Sequence, residues 1–270
     1  MLETVARAKV NLVLRAGPRR ADGFHEIATV LAAIELGDVL RISPARRTRV
    51  RAPGLPAGDT LVTRALALLC ERAGHAGGFE VEIEKRVPAG AGLGGGSSDA
   101  GTALRIANAL LPQPCDDATL LELAAQVGSD VPFFAAGCHA AHATGRGEQL
   151  EPIELPADLP RCVVVAWPGM VLSTAEVYAA FTAPATLRAA TLADLGANDL
   201  QPAAERLCPA SGRLRRVLEA EGGIAAVSGS GSAVYGLFHD PEQVERARAA
   251  LGEAAWSASS RLASRGTMPA

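Results

Sequence analysis

The segment Phe79-Glu-Val-Glu-Ile-Glu-Lys-Arg-Val87, running into Pro88-Ala-Gly-Ala-Gly-Leu-Gly-Gly-Gly-Ser-Ser98, decides the architecture. Phe79, Val81 and Ile83 alternate with Glu80, Glu82 and Glu84, which predicts a strand with one apolar and one wet face. Such a strand belongs in an antiparallel sheet with one solvated side. The glycines after it allow the backbone to press against a ligand and to adopt positive φ. Their N–H groups, together with the start of a helix expected over Asp99–Leu111, make a cradle for an anion. Ser97 and Ser98 add hydroxyls suited to phosphate or Mg2+, and Ser98 or Asp99 is placed to cap the helix.

Three phosphate-binding designs compete for this loop. Gly90-x-Gly92-x-x-Gly95 matches the dinucleotide fingerprint, but that design follows a strand buried on both faces and continuously apolar. The P-loop requires G-x-x-x-x-G-K-[ST], and no lysine follows these glycines. A glycine/serine loop opening a helix beside an antiparallel sheet fits best. A flexible linker is the bland alternative, and the ordered Pro-Ala-Gly-Ala-Gly-Leu run argues against it.

On the N-terminal side, Val5–Leu14 predicts a strand with Arg7, Lys9 and Asn11 on one face, followed by a turn at Ala21-Asp22-Gly23. Glu26–Leu36 fits either strand or helix, Gly37-Asp38 is expected to break it, and Val39–Ile42 resumes as a strand. Arg46–Gly58 reads as a short strand plus loop, and Leu61–Ala73 as a helix stopped by Gly74. Beyond the loop come a helix over Leu120–Val127, a strand over Gly137–Ala143 and a turn at Thr144–Gly147. The Pro- and acid-rich stretch Glu151–Pro160 predicts a division into domains 1–150 and 151–270. In the second part, Cys162–Trp167, Ala225–Val227 and Ala233–Phe238 predict strands, and Ala175–Phe181, Leu214–Ala220 and Pro241–Leu251 helices.

With 49% apolar residues over 270 positions, the chain can build a sizeable core. A net charge of −3 gives no reason to expect nucleic acid or an acidic membrane surface as partner. The absence of a signal-peptide core and of any apolar run of about 18 residues predicts a cytoplasmic protein. Five scattered cysteines without a C-x-x-C pair predict reduced thiols rather than a disulfide framework or zinc site. Among 26 basic residues only Lys9 and Lys85 are lysines.

Val87–Ser98 resembles the second motif of the GHMP kinases, small-molecule kinases named for galactose, homoserine, mevalonate and phosphomevalonate. Ala226-Val-Ser-Gly-Ser-Gly-Ser232 resembles their third motif, a second glycine loop. Ala8-Lys-Val-Asn-Leu12, Ala21-Asp-Gly-Phe-His25 and Gly128-Ser-Asp-Val-Pro-Phe133 resemble the branch that phosphorylates the 2-hydroxyl of a cytidine diphosphate derivative of methylerythritol in the non-mevalonate isoprenoid pathway. The resemblance runs in order from about residue 6 to residue 238. It implies an α+β fold of two domains: an N-terminal one like the second domain of a ribosomal S5 protein, and a ferredoxin-like C-terminal one. ATP, Mg2+ and the small-molecule substrate would meet between them.

The resemblance also implies roles for residues. Asp130 would be the general base and Lys9 its partner. From the residues alone, Asp130 fits a helix cap equally well, and Lys9 a charge on a wet strand face. ATP would be held by Lys85, near the adenine, and by Pro88, Ala89, Gly90, Ala91, Gly92, Leu93, Gly94, Gly95, Gly96, Ser97 and Ser98. Lys85 fits an ordinary end-of-strand charge just as well. The acceptor would meet Asn11, Phe24, His25, Thr174, Tyr178, Gly229, Ser230 and Gly231, with His25 reading a cytosine edge between the aromatic walls Phe24 and Tyr178. Ser97 or Ser98 is a candidate Mg2+ ligand. Three rivals remain open: another GHMP kinase, a non-catalytic nucleotide-binding module, and a dinucleotide-dependent dehydrogenase.

Overall fold

In the computed structural model, which describes residues 1–53, 60–252 and 254–264, two long antiparallel strands form the spine. They are β1 (Leu2–Arg19) and β2 (His25–Ala45). The run Ile27–Ile34 of β2 is buried throughout, so its sequence carries no periodicity that separates strand from helix. Pairing to β1 on one side and to other strands on the other makes it strand. The expected break at Gly37-Asp38 does not occur. Gly37 lets β1 cross closely, since a Cβ there would lie 2.3 Å from the Ala6 carbonyl oxygen.

β3 (Arg49–Arg51), β4 (Gly78–Glu84), β5 (Ala140–Gly145) and β6 (Gln149–Pro152) complete a six-stranded sheet in the order β3-β4-β2-β5-β6, with β1 also paired to β2. The remainder of the expected loop, residues 54–58, lies outside the described residues. Helices α1 (Leu61–Arg72), α2 (Gly95–Ala109), α3 (Asp117–Val127) and α4 (Val131–Ala135) belong to this half. Their apolar faces join Phe79, Val81 and Ile83 of β4 in one core, while Glu82 and Glu84 point to water as the alternation predicts.

A second sheet has the order β10-β7-β9-β8, built from β7 (Cys162–Trp167), β8 (Ile224–Val227), β9 (Val234–Phe238) and β10 (Trp256–Arg261). Helices α5 (Thr174–Ala180), α6 (Gln201–Leu207), α7 (Pro209–Ala220) and α8 (Pro241–Ala250) belong to this half. α6 and β10 carry no sequence signal of their own: α6 is seven residues long, and Trp-Ser-Ala-Ser-Ser-Arg lacks apolar alternation. β10 is specified by its partner, pairing along all of β7 from Trp256↔Trp167 to Arg261↔Cys162.

The two halves share a core. Val10, Leu12, Val30 and Ile34 pack with Val163, Val165, Tyr235 and Leu237. The backbone of β1 reaches across as well, with Leu14 N–H donating to Ala197 at 2.8 Å and the Tyr235 hydroxyl to the Asn11 carbonyl at 2.8 Å. No described helix is long and apolar enough to cross a membrane. All five cysteines are free thiols, with Cys162 and Cys208 buried and the other three half-buried.

Candidate active site

At the centre of the cleft stands Lys9, on β1 and only 3% exposed. A register shift between Arg7 and Lys9 ends the simple alternation expected there. The Lys9 ammonium donates to Asn11 Oδ1 at 2.7 Å and to the Gly92 carbonyl at 3.1 Å, and lies 3.6 Å from Asp130 Oδ2. Asn11 is in turn fixed by Thr29, whose hydroxyl accepts from Asn11 Nδ2 at 2.9 Å and donates to the Val13 carbonyl at 2.6 Å. Each polar side chain of this buried row therefore has a partner, as a low-dielectric site requires. The Asn11 amide, expected to orient substrate, thus also links Lys9 to Thr29.

Asp130 sits at the N-cap position of α4 but makes no capping hydrogen bond. Its carboxylate instead faces Lys9 and remains 35% exposed. That geometry separates the two readings the local sequence left open, because a cap would have turned the side chain back onto the helix N–H groups.

The glycine run is shorter as a loop than the sequence suggests. α2 starts at Gly95, four residues before Asp99, with Gly94 at the N-cap position in the left-handed region, φ 71°. Neither Ser98 nor Asp99 caps it. The Ser98 hydroxyl is buried and donates to the Arg7 carbonyl at 2.6 Å, and its N–H donates to Gly94, so Ser98 presents nothing to a phosphate or Mg2+. The N–H groups of Gly95, Gly96 and Ser97, in the first turn, carry the anion-binding capacity.

The second glycine loop closes on the first. Ser228 Oγ donates to the Gly92 carbonyl at 3.0 Å, and Ala233 N–H to Ala91 at 2.8 Å. Gly92, at φ 88°, has no space for a side chain, since a Cβ would lie 2.4 Å from the Ser228 carbonyl oxygen. A Cβ on Gly229 would fall 3.3 Å from the Lys9 ammonium nitrogen. Asn198, which carried no recognisable motif, holds this second loop by donating to the carbonyls of Val227 and Gly229, both at 2.8 Å. Gly231 packs against Val227, Ala204 and Leu172, so it shapes the loop from behind. On the outer side, Ser230 Oγ lies 3.0 Å from Thr174 Oγ1 at the start of α5.

Lys85 does not reach out of the loop. Its ammonium is held by Asp38 and by Asp99 Oδ2 at 2.8 Å, just beneath the start of α2. Asp38 also accepts from the N–H groups of Arg86 at 2.6 Å and Val87 at 2.9 Å, so it pins the entry to the glycine run. Burial, only partly offset by the Lys85 charge, pushes the Asp99 carboxyl up to about 7. Among the described residues, Asp99 Oδ1 is buried without a hydrogen-bond partner. The raised value means that Asp99 favours the folded state most below its ordinary value near 3.8, and that this contribution is lost as pH rises through about 7. Asp99→Asn is therefore expected to flatten the fall in stability between about pH 4 and 7, as read by urea unfolding at each pH. Equal slopes in the two proteins would rule this out.

At the far end of the cleft, the His25 ring stacks on Tyr178, with centroids 4.9 Å apart and planes at 23°. Tyr178 thus sits against His25 at the same end of the cleft, while its other face is not occupied by His25. Burial, and then the nearby Asp130 charge, push the Tyr178 phenol up to about 12. His25 Nδ1 lies 2.9 Å from the Gly17 carbonyl oxygen. A carbonyl can only accept, so Nδ1 carries a proton, and in the tautomer this selects Nε2 is the acceptor nitrogen. Phe24 is 50% exposed, and the Arg146 guanidinium lies over its ring, 5.0 Å from the centroid. Arg146 comes from the β5–β6 turn and had no motif to announce it.

Among the described residues there is no cluster of three or more His, Cys, Asp or Glu side chains able to hold a metal ion. Mg2+ needs none when nucleotide phosphates and water fill most of its sphere. The half-buried Ser97 hydroxyl, in the first turn of α2, is the oxygen donor that fits such an arrangement.

The chain matches two family models, described as GHMP kinases N terminal domain over residues 60–138 and GHMP kinases C terminal over residues 182–258. It is 40% identical over 263 residues to the 4-diphosphocytidyl-2-C-methyl-D-erythritol kinase of Thermus thermophilus, covering 93% of this chain and 92% of that one. It is 38% identical to the enzyme of the same name from Desulfotalea psychrophila, covering 86% and 84%. A crystal structure of 4-(cytidine 5'-diphospho)-2C-methyl-D-erythritol kinase superposes with a TM-score of 0.83 at 38% identity, over 97% of this chain and all of that one. A mevalonate kinase structure, at 14% identity and a TM-score of 0.68, shares the fold.

Proposed function

The chain belongs to the GHMP kinases, and within them to the 4-diphosphocytidyl-2-C-methyl-D-erythritol kinases, and on that premise we propose how its cleft residues divide the work of phosphoryl transfer. The reaction moves the γ-phosphoryl group of ATP to the 2-hydroxyl of 4-diphosphocytidyl-2-C-methyl-D-erythritol, in non-mevalonate isoprenoid synthesis. The acceptor is a small molecule, and we place the enzyme in the cytoplasm with its soluble substrates.

Asp130 accepts the proton of the 2-hydroxyl as that oxygen bonds to the γ-phosphorus and the bond to the β–γ bridging oxygen breaks. Lys9 holds the Asp130 carboxylate ionised and offsets charge on the transferring group. The N–H groups of Gly95, Gly96 and Ser97 receive the phosphates, and the Ser97 hydroxyl would be the protein oxygen offered to a Mg2+ that travels with ATP. Bound Mg2+ would neutralise phosphate charge as it develops. His25, through Nε2, accepts from the exocyclic amine of cytosine, and Phe24 offers an exposed face for stacking. Positioning and charge stabilisation supply most of the acceleration in phosphoryl transfer, so a rigid, fully bonded Lys9–Asn11–Thr29 row suits the chemistry.

The observation that carries this reading is the Lys9–Asp130 pair, 3.6 Å apart, with the carboxylate exposed to the cleft and turned away from the helix it begins. Purified protein with ATP, Mg2+ and the cytidine substrate is expected to release one ADP per acceptor consumed. Mevalonate and homoserine are expected to give none, and the uridine analogue a kcat/KM at least about tenfold lower, because its carbonyl would face the Nε2 acceptor. ADP release with mevalonate but not with the cytidine substrate would overturn the substrate reading.

A further inference from the structure

We infer that Arg146 binds the diphosphate of the acceptor and so sets the distance between the base reader and the reacting hydroxyl. This rests on the acceptor reading above. The substrate carries cytosine at one end, the hydroxyl at the other, and two negatively charged phosphates between. The turn that carries Arg146 reaches from Phe24 to Asp130. Its guanidinium lies over Phe24, 5.0 Å from the ring centroid, beside the base end. The next residue, Gly147, reaches the catalytic end: at φ 113°, a Cβ on it would lie 3.9 Å from Asp130 Oδ1.

The turn is built to hold that charge in place without consuming it. Glu148 spends its shorter contact on the backbone, accepting from the Arg146 N–H at 2.6 Å, while the guanidinium Nε stays 3.8 Å from the carboxylate. Asp22 adds only a long-range electrostatic contact from the opposite turn. The side chain is 31% exposed, so its donors are within reach of a ligand laid against Phe24. A guanidinium is suited to paired phosphate oxygens, and stacking on an aromatic ring fixes its plane in advance. Lys9, the cation that faces Asp130, has its ammonium engaged by Asn11, Gly92 and Asp130.

The test compares cytidine with cytidine diphosphate as ligands, by calorimetry, for the full-length protein and Arg146→Gln. The variant is expected to weaken cytidine diphosphate binding by about tenfold, the worth of one charge-assisted hydrogen bond, and to leave cytidine unchanged. In turnover, KM for the acceptor should rise while KM for ATP holds, and Arg146→Lys should restore part of the loss. Equal weakening of both ligands would overturn the inference and reduce Arg146 to a prop for Phe24. No change in either would also overturn it. Failure of the wild-type protein to bind either ligand would instead bring down the cytidine reading itself.

Discussion

Asp130→Asn is expected to keep its fold and its ATP affinity and to lose turnover by about 10²–10⁴-fold, the usual worth of general-base catalysis. The amide has the shape of the carboxylate but cannot take a proton from the hydroxyl. Lys9 keeps two neutral partners, Asn11 and the Gly92 carbonyl, so it stays in place. Asp130 makes no capping bond to α4, so the melting temperature should hardly move. The measurements are kcat, ATP affinity by titration and a thermal melt. An unchanged kcat would remove Asp130 as base. A collapse in melting temperature would return it to a structural role.

Lys9→Arg is expected to lower kcat by about 10²–10³-fold, comparable with deleting an electrostatic contact to the transition state, although charge is conserved. The ammonium is enclosed. Cβ atoms built on Gly94 would lie 3.1 Å from the Lys9 Cγ and 3.2 Å from its Cε, and one on Gly229 3.3 Å from its Nζ. Both glycine loops thus press directly on the lysine, and a planar fork with five donors has neither the space nor the acceptors it needs. The displaced loops should also weaken the clasp at Gly92, so reduced thermal stability should accompany the lost activity. Full activity in the arginine variant would show that a positive charge anywhere near Asp130 suffices.

The rarity of lysine gains a physical basis from these placements. Both lysines are compact charges inside crowded, carboxylate-bearing sites, Lys9 beside Asp130 and Lys85 between Asp38 and Asp99. The two nevertheless differ in kind. Lys9 faces the cleft, whereas Lys85 is a brace beneath the loop, a distinction invisible in a sequence where Asp38 and Asp99 are 47 and 14 residues away from it.

Much of the site was legible because its parts are local. Glycine loops, the Ala8–Leu12 strand and the Asp130 turn each announce themselves within a few residues. Local reading failed where a residue's partners are distant. Ser98 looked like a ligand hydroxyl, yet the position of α2 turns it onto the Arg7 carbonyl. The hydrogen bonds of Asn11 to Lys9 and Thr29 could not be read from its local sequence either.

What the sequence determined by itself was the half-wet strand, the glycine loop after it, the alternation of helices and strands, and the order of motifs that marks a kinase. These follow from backbone freedom, side-chain period and residue chemistry, which act over a handful of positions. Only the tertiary structure decided which donors meet which acceptors. It settled β2 as a strand, joined Asp130 to Lys9, fixed the His25 tautomer through Gly17, and set Arg146 over Phe24. The physical reason is that a hydrogen bond or ion pair in a buried cleft depends on distance in space, and distance in space is set by packing of elements far apart in the chain.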